Sequence, residues 1–171
     1  MLDLLLAVPG SQVVTVTGPA HREGRISFQD LQTEHRYSKS ATYAQSKLAN
    51  ALFAYELQRR LKAAGAKTLS VAAHPGGART ELNRDMPWLF RGRSWGLARP
   101  ITHSVEAGAL PLLRAAVDPG VGGGDYYAPA GWLEFKGAPV RRQSSQQSHD
   151  PGLQHRLWEV SERLTGIAYP L

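Results

Sequence analysis

Cysteine is absent from the 171 residues. That excludes structural disulfides and thiolate metal sites, and no metal centre is expected. Long apolar runs are absent as well. The opening MLDLLLAVPG carries Asp3, lacks a basic stretch before its apolar core and is too short to span a bilayer. It reads as the end of a buried helix in a cytoplasmic protein without a membrane span. Acidic residues are the minority charge, 14 against 20 basic, for a net charge of +6. Arg91, Arg93 and Arg99 lie near one another and Arg141 adjoins Arg142, a balance that suits nucleic acid or an anionic cofactor. Their scatter argues for surface arginines and against a nucleic-acid interface.

What is present is globular. Hydrophobic residues make up 42% and charged residues 20%, enough apolar surface for one core in a single domain, residues 1–171. Leu2 to Val8 reads as a short helix ended by Pro9-Gly10. Residues 12–17, QVVTVT, are β-branched and apolar on both sides, as in a buried parallel strand. A polar loop over 18–39 precedes a helix from about Ser40 to Ala64, stopped by Gly65. Thr68 to Ala73 is a second buried strand, ended by His74-Pro75-Gly76-Gly77. Residues 81–100 are aromatic and irregular. A helix over Thr102 to Ala116, capped by Thr102 or Ser104 with Glu106 in its first turn, follows. Asp125 to Ala128 is a short strand. Residues 129–149 read as loop, mobile over Gln143 to Ser148. A last helix, Pro151 to Thr165, places Leu153, Leu157, Val160 and Leu164 on one face. Alternating strands and helices imply a parallel sheet of about three strands with helices on its faces, its first strand left with an unpaired edge.

The stretch YAQSK, residues 43–47, carries the chemistry. Residues four apart share a helix face. Tyr43, Lys47, Asn50, Ala54, Leu57 and Leu61 therefore form one stripe whose lower part is apolar and points inward. Leu48, Leu52 and Tyr55 form a second apolar side, which offers a surface for another helix or for a homo-oligomer through helix 40–64. A phenol is a poor base near neutral pH. A neighbouring ammonium favours the phenolate and lowers that pKa, so the phenol can exchange a proton with an alcohol or carbonyl. The pair alone is a weak signal, since tyrosine and lysine often stand four apart on a solvated helix.

The setting adds to it. The run AHREGRISFQDLQTEHRYSKSATYAQSKLANALFAYELQRRLKAAG, followed by LSVAAHPGGARTEL and GGGDYYAPAGWLEFKGAPV, resembles the short-chain dehydrogenase/reductase superfamily, in its retinol dehydrogenase and protochlorophyllide reductase branch. The resemblance implies the C-terminal portion of a Rossmann-type sheet and redox chemistry with NADP or NAD. It makes Tyr43 the general acid/base. Lys47 would hold the nicotinamide ribose and activate Tyr43, Pro75 and Gly76 would lie by the nicotinamide, and Thr80 near its carboxamide or the diphosphate. His74 reads as a structural strand-end histidine. Residues 81–100 and 129–149 would form a wall for a small apolar carbonyl or alcohol through Trp88, Leu89, Phe90, Trp95, Trp132, Leu133 and Phe135; packing of the core is the other reading of these side chains.

Three departures stand against the resemblance. Gly18 occupies the position of the family's catalytic serine, and Thr17 could replace that hydroxyl only across a sharp turn. The family's helix asparagine would fall before Met1. No glycine-rich turn follows a strand, since PGVGGGDYY precedes one, so the N-terminal dinucleotide-binding strands are expected to be missing. The second reading is accordingly a truncated or catalytically inactive relative that acts as an oligomerisation or binding module.

Overall fold

The computed structural model describes residues 2–77, 103–169 and 171. Thr80, Trp88, Leu89, Phe90, Trp95 and the alternative cap Thr102 lie outside them. The described elements are α1 (Leu2–Leu6), β1 (Gln12–Val16), α2 (Lys39–Ala63), β2 (Leu69–Ala73), α3 (Val105–Val117), β3 (Tyr126–Pro129), β4 (Pro139–Arg142) and α4 (Pro151–Thr165). Short 3-10 turns cover Pro19–Arg22, Trp132–Glu134 and Gln146–His149.

The sheet runs β1-β2-β3-β4. β1, β2 and β3 are parallel, with Val14 opposite Val71 and Ala72 opposite Tyr126. β4 returns antiparallel along β3, with Ala128 opposite Val140. The sheet therefore has four strands where the sequence suggested about three. β4 is short, begins with proline and ends in two arginines, so no apolar alternation marks it.

Alternation along β2 sorts its side chains between two layers. Val71 and Ala73 pack with Leu112 and Ala115 of α3 and with Val14 and Tyr127. Ala72 packs with Ala54 of α2, Tyr126 and Ala128. Ser70 fixes the α2 side by donating its hydroxyl to the Ala54 carbonyl at 2.8 Å. β1 is less covered than its composition suggests. Its first four residues are half-buried and Val16 is 40% exposed. The reason is its place: among the described residues β1 pairs with β2 alone, so one edge stays open.

The second apolar side of α2 meets the chain's own α4. Leu48 and Leu52 pack with Leu157; Leu57 and Leu61, from the stripe that begins at Tyr43, turn to α4 as well and pack with Trp158, Leu2 and Leu6. The buried face of α4 is Gln154, Leu157 and Trp158, while Leu164 is 56% exposed. Asp150 caps α4 by accepting from the Leu153 amide at 3.0 Å. Asp150→Ala is expected to lower the unfolding free energy by about 1 kcal/mol, read as a shifted urea midpoint at unchanged slope.

The serine-rich stretch before α4 is pinned. Ser144 and Ser148 are buried. The Tyr55 hydroxyl lies 2.6 Å from Ser144 Oγ, which lies 2.7 Å from Ser148 Oγ and 2.9 Å from His149 Nε2. Ser148 spends its own proton on the Ser145 carbonyl. Ser144 must then donate to Ser148 and accept from the other two, which leaves it no proton for a histidine base. The cluster holds structure.

Candidate active site

Parallel strands present the loops beyond their carboxyl ends at one edge of a sheet, where α/β folds bind ligands. Here those loops are Thr17–Arg22 after β1, His74–Gly77 after β2 and the segment from Ala130 after β3. The Thr17 amide donates to the Ala73 carbonyl at 2.8 Å, bringing the first two together.

Two hydrogen bonds set α2 over the end of β1. The Thr17 hydroxyl donates to the Lys47 carbonyl at 2.7 Å. The Asn50 side-chain amide donates to the Val16 carbonyl at 2.9 Å. With α2 so placed, Tyr43 and Lys47 stand over Gly18. A Cβ built on Gly18 would lie 3.4 Å from the Tyr43 hydroxyl and 3.5 Å from Lys47 Cγ. Thr17 cannot stand in for the expected serine, because it is buried and its hydroxyl is committed to the helix backbone.

The Lys47 ammonium lies 5.3 Å from the centroid of the Tyr43 ring. Burial pushes the Tyr43 phenol above its ordinary value. Desolvation of a phenolate is the physical cause of that rise. Lys47 Nζ has no hydrogen bond or ion pair among the described residues, so its donors remain free.

Pro75 and Gly76 fall at the same sheet edge, with their polar groups engaged. The Pro75 carbonyl accepts from His103 Nε2 at 2.7 Å. The Gly76 amide donates to His74 Nδ1 at 2.9 Å, and the Gly77 amide to the Phe135 carbonyl at 2.7 Å. Gly76 takes φ +74°, and a Cβ there would meet the Phe135 carbonyl oxygen at 2.6 Å. Only glycine fits that approach.

Sequence reasoning passed over Glu134. It is buried, and its Oε1 accepts from Arg22 at 2.6 Å. Its Oε2 lies 3.0 Å from His74 Nε2 and accepts from the Tyr126 hydroxyl at 2.9 Å. Burial alone would raise this carboxyl; the bonds from His74, Tyr126 and Arg22 outweigh it and hold it at about 2. Leu133 and Glu134 both have positive φ, +49° and +60°, a strain on the order of 1–3 kcal/mol each for non-glycine residues. Only the pattern GWLEFKG, a single acid among aromatic and aliphatic residues between glycines, could have flagged it.

A carboxyl held at about 2 instead of its ordinary 4.5 stabilises the fold fully above the higher value. That share is lost as pH falls towards the lower one. It amounts to on the order of 2–3 kcal/mol. Urea-unfolding free energies at about pH 6 and about pH 2.5 should differ by that much more in the parent than in Glu134→Gln.

No family model matches the chain. It is 42% identical over 160 residues to polyprenol dehydrogenase of Mus musculus, covering 92% of this chain and 45% of that protein. It is 35% identical over 171 residues to retinol dehydrogenase 12 of Homo sapiens, covering 99% of this chain and 50% of that one. The chain belongs to the short-chain dehydrogenase/reductase family. It spans about half the length of these relatives and corresponds to their C-terminal part. A solved structure of an uncharacterized protein from Mycobacterium paratuberculosis superposes with a TM-score of 0.77 at 36% identity, covering 99% of this chain and 55% of that one. The four-stranded, mostly parallel sheet is thus a Rossmann-like fold. No described helix is long and apolar enough to cross a membrane.

Members of the short-chain dehydrogenase/reductase family imply a nicotinamide dinucleotide. The described residues fit one end of it. Lys47 has free donors for ribose hydroxyls beside Tyr43. They do not fit the diphosphate, because the amides of Gly76 and Gly77 are bonded inside the protein and no other glycine-rich turn follows a described strand.

Proposed function

We propose that this chain carries the substrate-side half of an NAD(P)-dependent carbonyl/alcohol oxidoreductase, with Tyr43 as its proton donor and acceptor. The observation that carries this reading is the meeting of the Tyr43 hydroxyl, Lys47 and Gly18 at the carboxyl end of β1. A bound nicotinamide would supply or take the hydride. Lys47 would bind its ribose and keep a positive charge near the phenol as a proton leaves it. Pro75 and Gly76 would present a rigid backbone wall, and Thr80 is assigned to the same cofactor by its place in the motif. With its phenol raised by burial, Tyr43 stays protonated through neutral pH. A protonated phenol can donate to a carbonyl oxygen, and the phenolate left behind can take the proton of an alcohol in the reverse direction.

The substrate is an apolar carbonyl or alcohol. Trp132 and Leu133 are 73% and 57% exposed on the turn that follows β3, so they do not pack the core and are free to meet apolar surface. The relatives named for retinol and polyprenol agree with that class.

A second reading, an inactive relative that binds a partner, draws on Gly18 and on the absence of a phosphate cradle among the described residues. Titration with NADPH and NADH, followed by fluorescence and calorimetry, separates the two. Saturable binding near equimolar stoichiometry supports the oxidoreductase reading; absence of binding to this chain refutes it for the chain alone.

A further inference from the structure

Two histidines outside the Tyr43–Lys47 pair are fully buried, and each grips the backbone of one site loop. His21 Nε2 accepts from the Ser145 amide at 3.0 Å. Its proton is therefore on Nδ1, which donates to the Gly18 carbonyl at 2.7 Å. In His74 the order is reversed. Nδ1 accepts from the Gly76 amide, so the proton sits on Nε2 and is donated to Glu134. The two imidazoles hold opposite tautomers. Their rings flank Tyr126, at centroid distances of 5.4 Å and 5.8 Å.

Glu134 joins the two grips. Through Arg22, which also donates to the Gln143 carbonyl at 2.8 Å, it holds the turn that begins at Gly18. Through His74 it fixes the ring that orients the Gly76 amide. The neighbouring backbone touches the same loop, since the carbonyl of the next residue, Phe135, accepts from the Gly77 amide. A carboxylate accepts only, which makes it the one common side chain able to take three donors here without a mismatch. We propose that Glu134 is a positioning residue that sets the His74 tautomer and, with His21 and Tyr126, locks the Gly18 and Gly76 loops into one arrangement for the substrate and nicotinamide. The proposal rests on the reading of the site given above.

The tautomers make it testable in the cofactor-free protein. Long-range proton–nitrogen spectra of the imidazoles should show His74 protonated at Nε2 and His21 at Nδ1, each as a single form. In Glu134→Gln, an amide nitrogen must face either Arg22 or the His74 and Tyr126 donors. His74 should then populate both tautomers. Amide exchange at Gly76 and Gly77 should accelerate at least about tenfold, while Leu52 and Leu57 in α2 keep their protection. Tyr126→Phe leaves the Arg22 and His74 bonds in place and should accelerate the same two amides by about threefold; it also serves as the variant if Glu134→Gln does not fold.

NADPH affinity, where the parent binds, should fall about tenfold in Glu134→Gln. Unchanged tautomers and exchange in both variants would overturn the proposal. So would exchange that rises equally in α2, which marks a general loss of stability. These spectra need no cofactor, so a parent that fails to bind NADPH refutes the oxidoreductase reading for this chain alone and leaves the spectral test to decide the role of Glu134.

Discussion

Tyr43→Phe is expected to lower the rate of carbonyl reduction by about 10²–10⁴-fold while NADPH binds as it does to the parent. The substitution removes one oxygen. The ring stays over Lys47, whose ammonium lies 5.3 Å from its centroid, and helix α2 keeps its ties to Thr17 and Val16. Binding should therefore survive and proton transfer should not. Single-turnover loss of NADPH absorbance, alongside a separate binding titration, reads the two apart. Reduction that proceeds at the parental rate would remove Tyr43 from the chemistry.

Gly18→Ser is expected to raise turnover, by about 10²–10³-fold. A hydrogen-bond donor aimed at developing oxyanion charge has an effect of that order. The backbone at Gly18 is extended, φ −162° and ψ 163°, which any L-residue adopts. A Cβ there meets Tyr43 Oη at 3.4 Å and Lys47 Cγ and Cδ at 3.5 and 3.6 Å, all ordinary contacts. From that Cβ a hydroxyl can reach the same point in space that the Tyr43 hydroxyl faces. The comparison is kcat for parent and variant under saturating NADPH. A variant that folds, binds NADPH and gains nothing would show that the missing hydroxyl does not limit the reaction.

Much of this was legible in the sequence because it is local. The bounds of α2 follow from helical spacing and Gly65, and the observed helix ends at Ala63. Ser104 caps α3 through the Ala107 amide, with Glu106 in the first turn. Strand β2 is apolar on both faces and is buried on both. The spacing of Tyr43 and Lys47 puts them on one helix face, and both side chains lie beside Gly18.

What escaped depends on distant partners. Ser144 and Ser148 carry a loop composition, yet Tyr55, 89 positions from Ser144, fixes them. Strand β4 exists through its ladder to β3 and not through its own pattern. The α4 face is set by where Trp158 stacks on Phe53, at 5.3 Å, so Leu164 is left outside. Glu134 takes its meaning from Arg22 and His74, which are 112 and 60 positions away.

The open side of β1 has a further consequence. Among the described residues no strand pairs with it; the Val16 carbonyl on that side accepts from the Asn50 side-chain amide, and the remaining outward amides and carbonyls of β1 form a row open to a further strand. Whatever strand fills that row, whether from a longer polypeptide or from another copy, also stiffens the approach to the site. Where filling is bimolecular, protein concentration becomes a hidden variable: dilution leaves the edge bare, and crowding drives indiscriminate edge-to-edge association. Comparisons of binding or turnover between preparations carry meaning only at matched concentration.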